Sequence, residues 1–202
     1  AMLFSVSVFP QKNYTVVSPD GKLRTIVTVG KQVEYSVSHD GDQLLSNSPV
    51  SMTLGDGSRL GADARVSRIN AKSVNSEIDA VNYKKNKVID NYNELEIRFK
   101  GDYSLLFRAY NEGVAYRFIT SRKSPFIVEQ EQVVYNFPGN PNVYIPYVND
   151  QNGQKDTFEK QFYNSFENLY EYTSIEDWNA RRLAFLPLLV EGPNGKKICS
   201  TG

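Results

Sequence analysis

Little in this sequence can do chemistry by itself. Cys199 is the single cysteine of 202 residues, so no disulfide closes within the chain. His39 is the single histidine, which excludes a histidine-rich zinc site and any triad needing a second, orienting histidine. It sits in His39-Asp40-Gly41-Asp42, which reads as a hairpin turn and gives the imidazole a structural or solvated role. Trp178 is the one tryptophan. It reads as core or, beside Glu176 and Asp177, as a platform for a sugar ring. Charge of one sign is also missing: 23 Lys and Arg balance 23 Asp and Glu. Nucleic acid and anionic membranes both require a basic excess, so neither is expected as a partner. No apolar run is long enough to span a bilayer, and no stretch of ten residues carries a helical period. P-loop, GxGxxG, HExxH, EF-hand and CxxC patterns are absent. Asn13-Tyr14-Thr15 fits the glycosylation sequon, a pattern common by chance.

What is present is alternation of period two. Leu23, Thr25, Val27 and Val29 share one face against Arg24, Ile26 and Thr28. Gly30-Lys31-Gln32 then turns the chain into Val33, Tyr35 and Val37, which predicts a β-hairpin. Asp56-Gly57 marks another turn, since Asp and Gly tolerate unusual φ. Residues 60–91 are polar and weakly patterned, and predict edge strands and loops. The cluster Lys84, Lys85 and Lys87 reads as a solvated edge that discourages aggregation. From Tyr92 the signal sharpens. Leu95, Ile97 and Phe99 are followed by Tyr103, Leu105, Phe107 and Ala109, then by Val114, Tyr116 and Phe118. Turns at Gly101-Asp102 and Asn111-Glu112-Gly113 separate them. This predicts a three-stranded antiparallel meander with one wet face.

Downstream, residues 136–156 are loop-like around a short strand at Val143-Tyr144-Ile145-Pro146. Residues 158–177 are acidic and aromatic. Leu183 to Val190 predicts a buried strand carrying Pro187. A turn at Gly192-Pro193-Asn194-Gly195 leads to a further strand at Lys197-Ile198-Cys199, where the pattern stops without a partner and predicts that the chain continues. At the other end, Ala1-Met2 reads as a tag remnant, and residues 3–9 as a clipped signal peptide or a first strand. Residues 1–13 are thus tag, signal remnant or first strand, and residues 14–202 one all-β domain. A two-sheet sandwich is the natural architecture. The 13 Tyr and 11 Phe suit half-buried sheets and sugar sites alike.

Three segments in order resemble the N-terminal domain of glycoside hydrolase family 97. They are Ser18-Pro19-Asp20-Gly21-Lys22-Leu23 with the following Tyr35-Ser36-Val37, Tyr92-Asn93-Glu94-Leu95, and Phe107-Arg108-Ala109-Tyr110-Asn111-Glu112-Gly113-Val114-Ala115-Tyr116-Arg117-Phe118. The resemblance implies a large antiparallel β-super-sandwich akin to galactose mutarotase. It implies a catalytic (β/α)₈ barrel in the same chain and oligosaccharide substrates, and the activity of an α-glucosidase or α-galactosidase that is periplasmic or secreted. It also implies calcium, to which this domain lends a glutamate. The matching segment, Tyr163-Asn164-Ser165-Phe166-Glu167-Asn168-Leu169-Tyr170, makes Glu167 the calcium ligand. Tyr163 and Tyr170 become its substrate-side neighbours. Phe166 departs from the polar residue of the family pattern, which leaves Glu171 as the alternative ligand. A calcium ion takes six to eight oxygens, so one carboxylate lent across a domain boundary couples docking to metal binding. Glycoside hydrolysis needs two carboxylates at a fixed separation, and no spacing here singles out a pair. The chain is therefore expected to be non-catalytic by itself. The alternatives are a free-standing carbohydrate-binding sandwich and a purely structural interaction domain.

Overall fold

The computed structural model describes residues 11–81, 83–148, 161–162 and 167–201. Residues 3–9, whose reading was open between strand and signal peptide, lie outside these, as do Tyr163, Phe166 and most of the loop expected after Asn149. The described chain is nearly all β and divides into two compact units, Ala1–Asn136 and Phe137–Gly202.

The first unit is a two-sheet antiparallel sandwich. One sheet has the order β1 (Lys12–Val17), β2 (Leu23–Val29), β3 (Val33–His39), β4 (Asp42–Leu54) and β10 (Val128–Val133), with the short β5 (Arg59–Leu60) also on β4. The other runs β6 (Val66–Asp79), β7 (Lys87–Phe99), β8 (Tyr103–Tyr110) and β9 (Gly113–Thr120). The alternation read from the sequence is the burial observed: Leu23, Thr25, Val27 and Val29 of β2 and Val33, Tyr35 and Val37 of β3 are all buried. The β3–β4 turn follows from its residues, because Asp40 (φ 50°) and Gly41 (φ 86°) take the left-handed conformation a two-residue hairpin needs. Gly61 is required for space as well as φ. At φ 89° a Cβ there would come within 2.7 Å of the Val50 carbonyl oxygen.

The predicted meander is present as β7–β8–β9, with Leu95 opposite Phe107 and Phe107 opposite Tyr116. Its inner face meets the other sheet through rings. Tyr35 of β3 lies 5.8 Å from both Phe107 and Tyr116, centroid to centroid. Polar ties also join the sheets: Asn93 donates to the Val17 carbonyl at 2.7 Å, the Gly61 amide donates to the Tyr103 hydroxyl at 3.1 Å, and the Tyr116 hydroxyl donates to Glu131 at 3.4 Å.

The outer face of the meander is polar but not simply wet. Glu94 is 8% exposed between Arg108 at 2.8 Å and Lys72 at 3.1 Å. The Arg108 guanidinium also sits 4.2 Å from the centre of the Tyr92 ring. Burial works against the charged carboxylate, yet the hydrogen bonds and charges of Arg108 and Lys72 prevail and hold Glu94 below the ordinary glutamate value of 4.5. A depressed carboxylate stabilises the fold above its unfolded pKa, and that contribution is lost as pH falls through the folded pKa. Glu94→Gln is therefore expected to cost roughly 1.5–3 kcal/mol near neutral pH, the range for a charge-assisted hydrogen bond. It should also flatten the loss of stability below pH 4.5. Urea titrations of both proteins from neutral to acid pH check this. An acid limb equally steep in the variant would show that Glu94 is not the group titrating.

One sequence expectation is refined and one corrected. Residues 60–91 hold the expected edge strand and loops, but the strand is long: β6, at the edge of its sheet, pairs with β7 as a hairpin in continuous register from Arg68 to Asp79. Alternation signals one buried face, and the outer half of this hairpin buries neither. Strand β10 gave no signal for a similar reason, since five of its six residues are exposed. The strand expected from Leu183 begins only at Leu188, after a cis Leu186–Pro187 peptide.

The second unit is a four-stranded antiparallel sheet of order β12 (Glu171–Ser174), β11 (Asn142–Ile145), β13 (Leu188–Glu191) and β14 (Lys197–Ser200). The strand predicted at Lys197 pairs with β13, Leu189 facing Cys199. One face packs Val143, Ile145, Tyr147 and Val190 against Phe137, Ile175, Ala184, Leu188 and Ile198.

Candidate functional site

The segment singled out for calcium leads into β12 of the second unit. Glu167 is exposed, as are Asn168 and Leu169, and Tyr170 is 48% exposed. Local side chains shape this approach. Asn168 accepts a hydrogen bond from the Leu169 amide at 2.9 Å and donates to the Tyr147 carbonyl at 3.2 Å. Tyr147 is buried beneath them, and its hydroxyl accepts from the Asn179 amide at 2.7 Å. Arg182 completes the arrangement. Its guanidinium lies 4.2 Å from the Tyr147 ring centre and donates to the Val148 carbonyl at 3.1 Å.

Arg182 also holds the alternative ligand named from the sequence. It donates to Glu171 at 2.7 Å, so that carboxylate is engaged at the start of β12. A cation there would have to displace a guanidinium. Glu167, a carboxylate on an exposed approach, has the oxygen donors calcium selects. It can supply only one or two of the six to eight oxygens. Among the described residues no three His, Cys, Asp or Glu side chains gather to form a site. Glu167 by itself fits one ligand of such a shell. Tyr163, the other neighbour named with Tyr170, falls outside the described residues.

The outer face of the same sheet carries a cluster that the sequence pattern did not reveal. Tyr144 and Tyr172 are opposite in register, with ring centres 4.7 Å apart. Asn142 donates to the Tyr172 hydroxyl at 2.8 Å, and that hydroxyl donates to Glu191 at 2.7 Å. Lys197 pairs with the other oxygen of Glu191. The Lys197 ammonium, and then the Tyr172 hydroxyl, hold the Glu191 carboxyl below its ordinary range. Its hydrogen bond to Glu191 pushes the Tyr172 hydroxyl up. Two tilted rings edged by an amide, a carboxylate and an ammonium present both apolar area and hydrogen-bonding tips. These residues come from four strands spread over some sixty positions, so no local spacing announces them. Trp178, read as core or as a stacking platform, is 41% exposed on the turn after β12 and is not core.

The chain matches the Glycosyl-hydrolase 97 N-terminal family over residues 16–201. It is 40% identical over 200 residues to a retaining α-galactosidase of Bacteroides thetaiotaomicron, a match that covers 99% of this chain and 30% of that protein. The chain therefore spans about a third of the length of that relative. Among solved structures, it resembles a glycoside hydrolase family 97 enzyme from Pseudoalteromonas sp. strain K8 in complex with acarbose. There the TM-score is 0.72 at 19% identity, over 90% of this chain and 27% of the other. A β-arabinopyranosidase gives a TM-score of 0.77 at 21% identity, over 93% of this chain and 31% of the other.

Proposed function

Since this chain belongs to the Glycosyl-hydrolase 97 N-terminal family, we propose that it is the non-catalytic N-terminal domain of a calcium-dependent α-glycoside hydrolase. In this reading it packs on a catalytic barrel of the same polypeptide and lends that barrel Glu167. The observation that carries the reading is the pairing of two extents. The match runs almost the length of this chain, yet takes in only 30% of the α-galactosidase it resembles. The exposure of Glu167 supports the lent ligand, and the absence of a gathered donor set among the described residues agrees with a shell completed elsewhere.

A second reading, a free-standing carbohydrate-binding module, is favoured by one observation, the Tyr144–Tyr172 face edged by Asn142, Glu191 and Lys197. One set of measurements separates the two. In the first reading the 202-residue chain neither cleaves nitrophenyl α-galactoside or α-glucoside nor gives heat with galacto- and malto-oligosaccharides at sub-millimolar concentration. The longer enzyme cleaves at least one of the two glycosides. Binding tighter than about 1 mM, roughly 4 kcal/mol, that Tyr172→Ala removes would establish the module instead. A longer protein without glycosidase activity would sink the first reading outright.

A further inference from the structure

Strands β6 and β7 outrun the sheet in which they begin. Their register continues to Asp79 opposite Lys87, whereas β8 meets β7 only between Asn93 and Arg98. From Asn75 opposite Asn91 outward, five cross-strand pairs make an arm with no third strand among the described residues. At about 3.4 Å per residue this overhang is roughly 17 Å long. The Ala80 amide closes its tip by donating to the Asn86 carbonyl at 2.9 Å.

Among mostly polar residues the arm exposes five large apolar side chains. Ile78 is 52% exposed, Val81 86%, Tyr83 66%, Val88 37% and Ile89 74%. Ile78 and Val88 are opposite one another and share a face, while Ile89 stands opposite Glu77 on the other face. Val81 and Tyr83 lie in the turn. Apolar groups thus stand on both faces and at the tip, whereas a flat docking pad would need only one face. A two-stranded ribbon alone is marginally stable in water, and exposed clusters of this kind mark contact sites. Lys84 and Lys85 are exposed beside Tyr83, whereas Lys87 pairs with Glu77 at 2.8 Å.

We propose that this arm anchors the domain to the catalytic portion of the same polypeptide, entering an apolar recess rimmed by carboxylates that complement Lys84 and Lys85. The inference rests on the function proposed above and names the element that does the docking. The area decides against a second copy of the chain. Five partly exposed side chains bury a few hundred Å², short of the roughly 800 Å² per partner of a free-standing dimer. A tethered segment at millimolar effective concentration docks with less.

Hydrogen exchange of residues 75–91 tests the arm in the 202-residue chain and in the longer enzyme. The expected result is exchange at least about tenfold slower in the longer enzyme, as for a locally opening element that has gained cover. Ile78→Ser with Ile89→Ser should abolish most of that slowing while leaving the melting of the 202-residue chain unchanged, because both side chains are exposed there. Equal exchange in the two proteins overturns the proposal. So does slowing that follows protein concentration along with a dimeric sedimentation mass, or slowing that needs anionic vesicles. An active longer enzyme with an unprotected arm refutes the anchor alone. An inactive one refutes the functional reading instead.

Discussion

Phe107→Ala is expected to lower the unfolding free energy by about 3–5 kcal/mol, the range for deleting a fully buried aromatic ring. Phe107 is 0% exposed and stands where the two sheets of the sandwich meet. It contacts the Tyr35 ring at 5.8 Å across the interface and the Tyr116 ring at 5.7 Å within its own sheet. The cavity left by the ring cannot close by a local shift, because Leu95 and Tyr116 flank it in fixed register on β7 and β9. At roughly 2–4 °C per kcal/mol for a chain of this size, the melting temperature should fall by about 10 °C. Thermal unfolding followed by far-UV circular dichroism measures it. Ile127→Ala, at a side chain 71% exposed, serves as the control, with an expected change within about 0.5 kcal/mol. A loss at Phe107 no larger than at Ile127 would show that the sandwich is not held together at this ring cluster.

The second large effect concerns Glu167→Gln in the longer enzyme. Calcium affinity and glycosidase activity are expected to fall together, by roughly tenfold or more, the scale on which even outer-shell partners of a metal matter. The amide keeps the shape and one oxygen but loses the charge that a hard cation selects. An exposed side chain tolerates the isosteric change, so far-UV circular dichroism and melting of the calcium-free protein should not move. A calcium titration read by calorimetry gives the affinity independently of turnover, and excess calcium should restore activity. Unchanged calcium affinity would remove Glu167 from the shell whatever the activity does. Glu171→Gln is the informative companion. With its carboxylate held by Arg182 at 2.7 Å, it is expected to leave calcium affinity unchanged.

The sequence by itself determined the strands with one buried face. Along β2, β3 and the inner half of β7, apolar residues fall at every second position because one side meets the core and the other does not, and period two records that difference. It determined the turns, because Asp40 and Gly41 tolerate the left-handed φ that a tight hairpin demands. It carried the family too, since the ordered motifs from Ser18 to Phe118 lie within contiguous segments, and the match over residues 16–201 follows them. Tertiary structure alone decided three things. The outer half of the β6–β7 hairpin buries neither face, so it left no period to read, and only pairing across the turn shows an arm. The pairing of Glu171 with Arg182, eleven residues beyond it, is the second, and the register of a loop motif cannot foresee which carboxylate a guanidinium beyond it will hold. The Tyr144–Tyr172 face is assembled from four strands. Side chains that far apart along the chain become neighbours only when the sheet sets their register, and no spacing in a linear sequence encodes that.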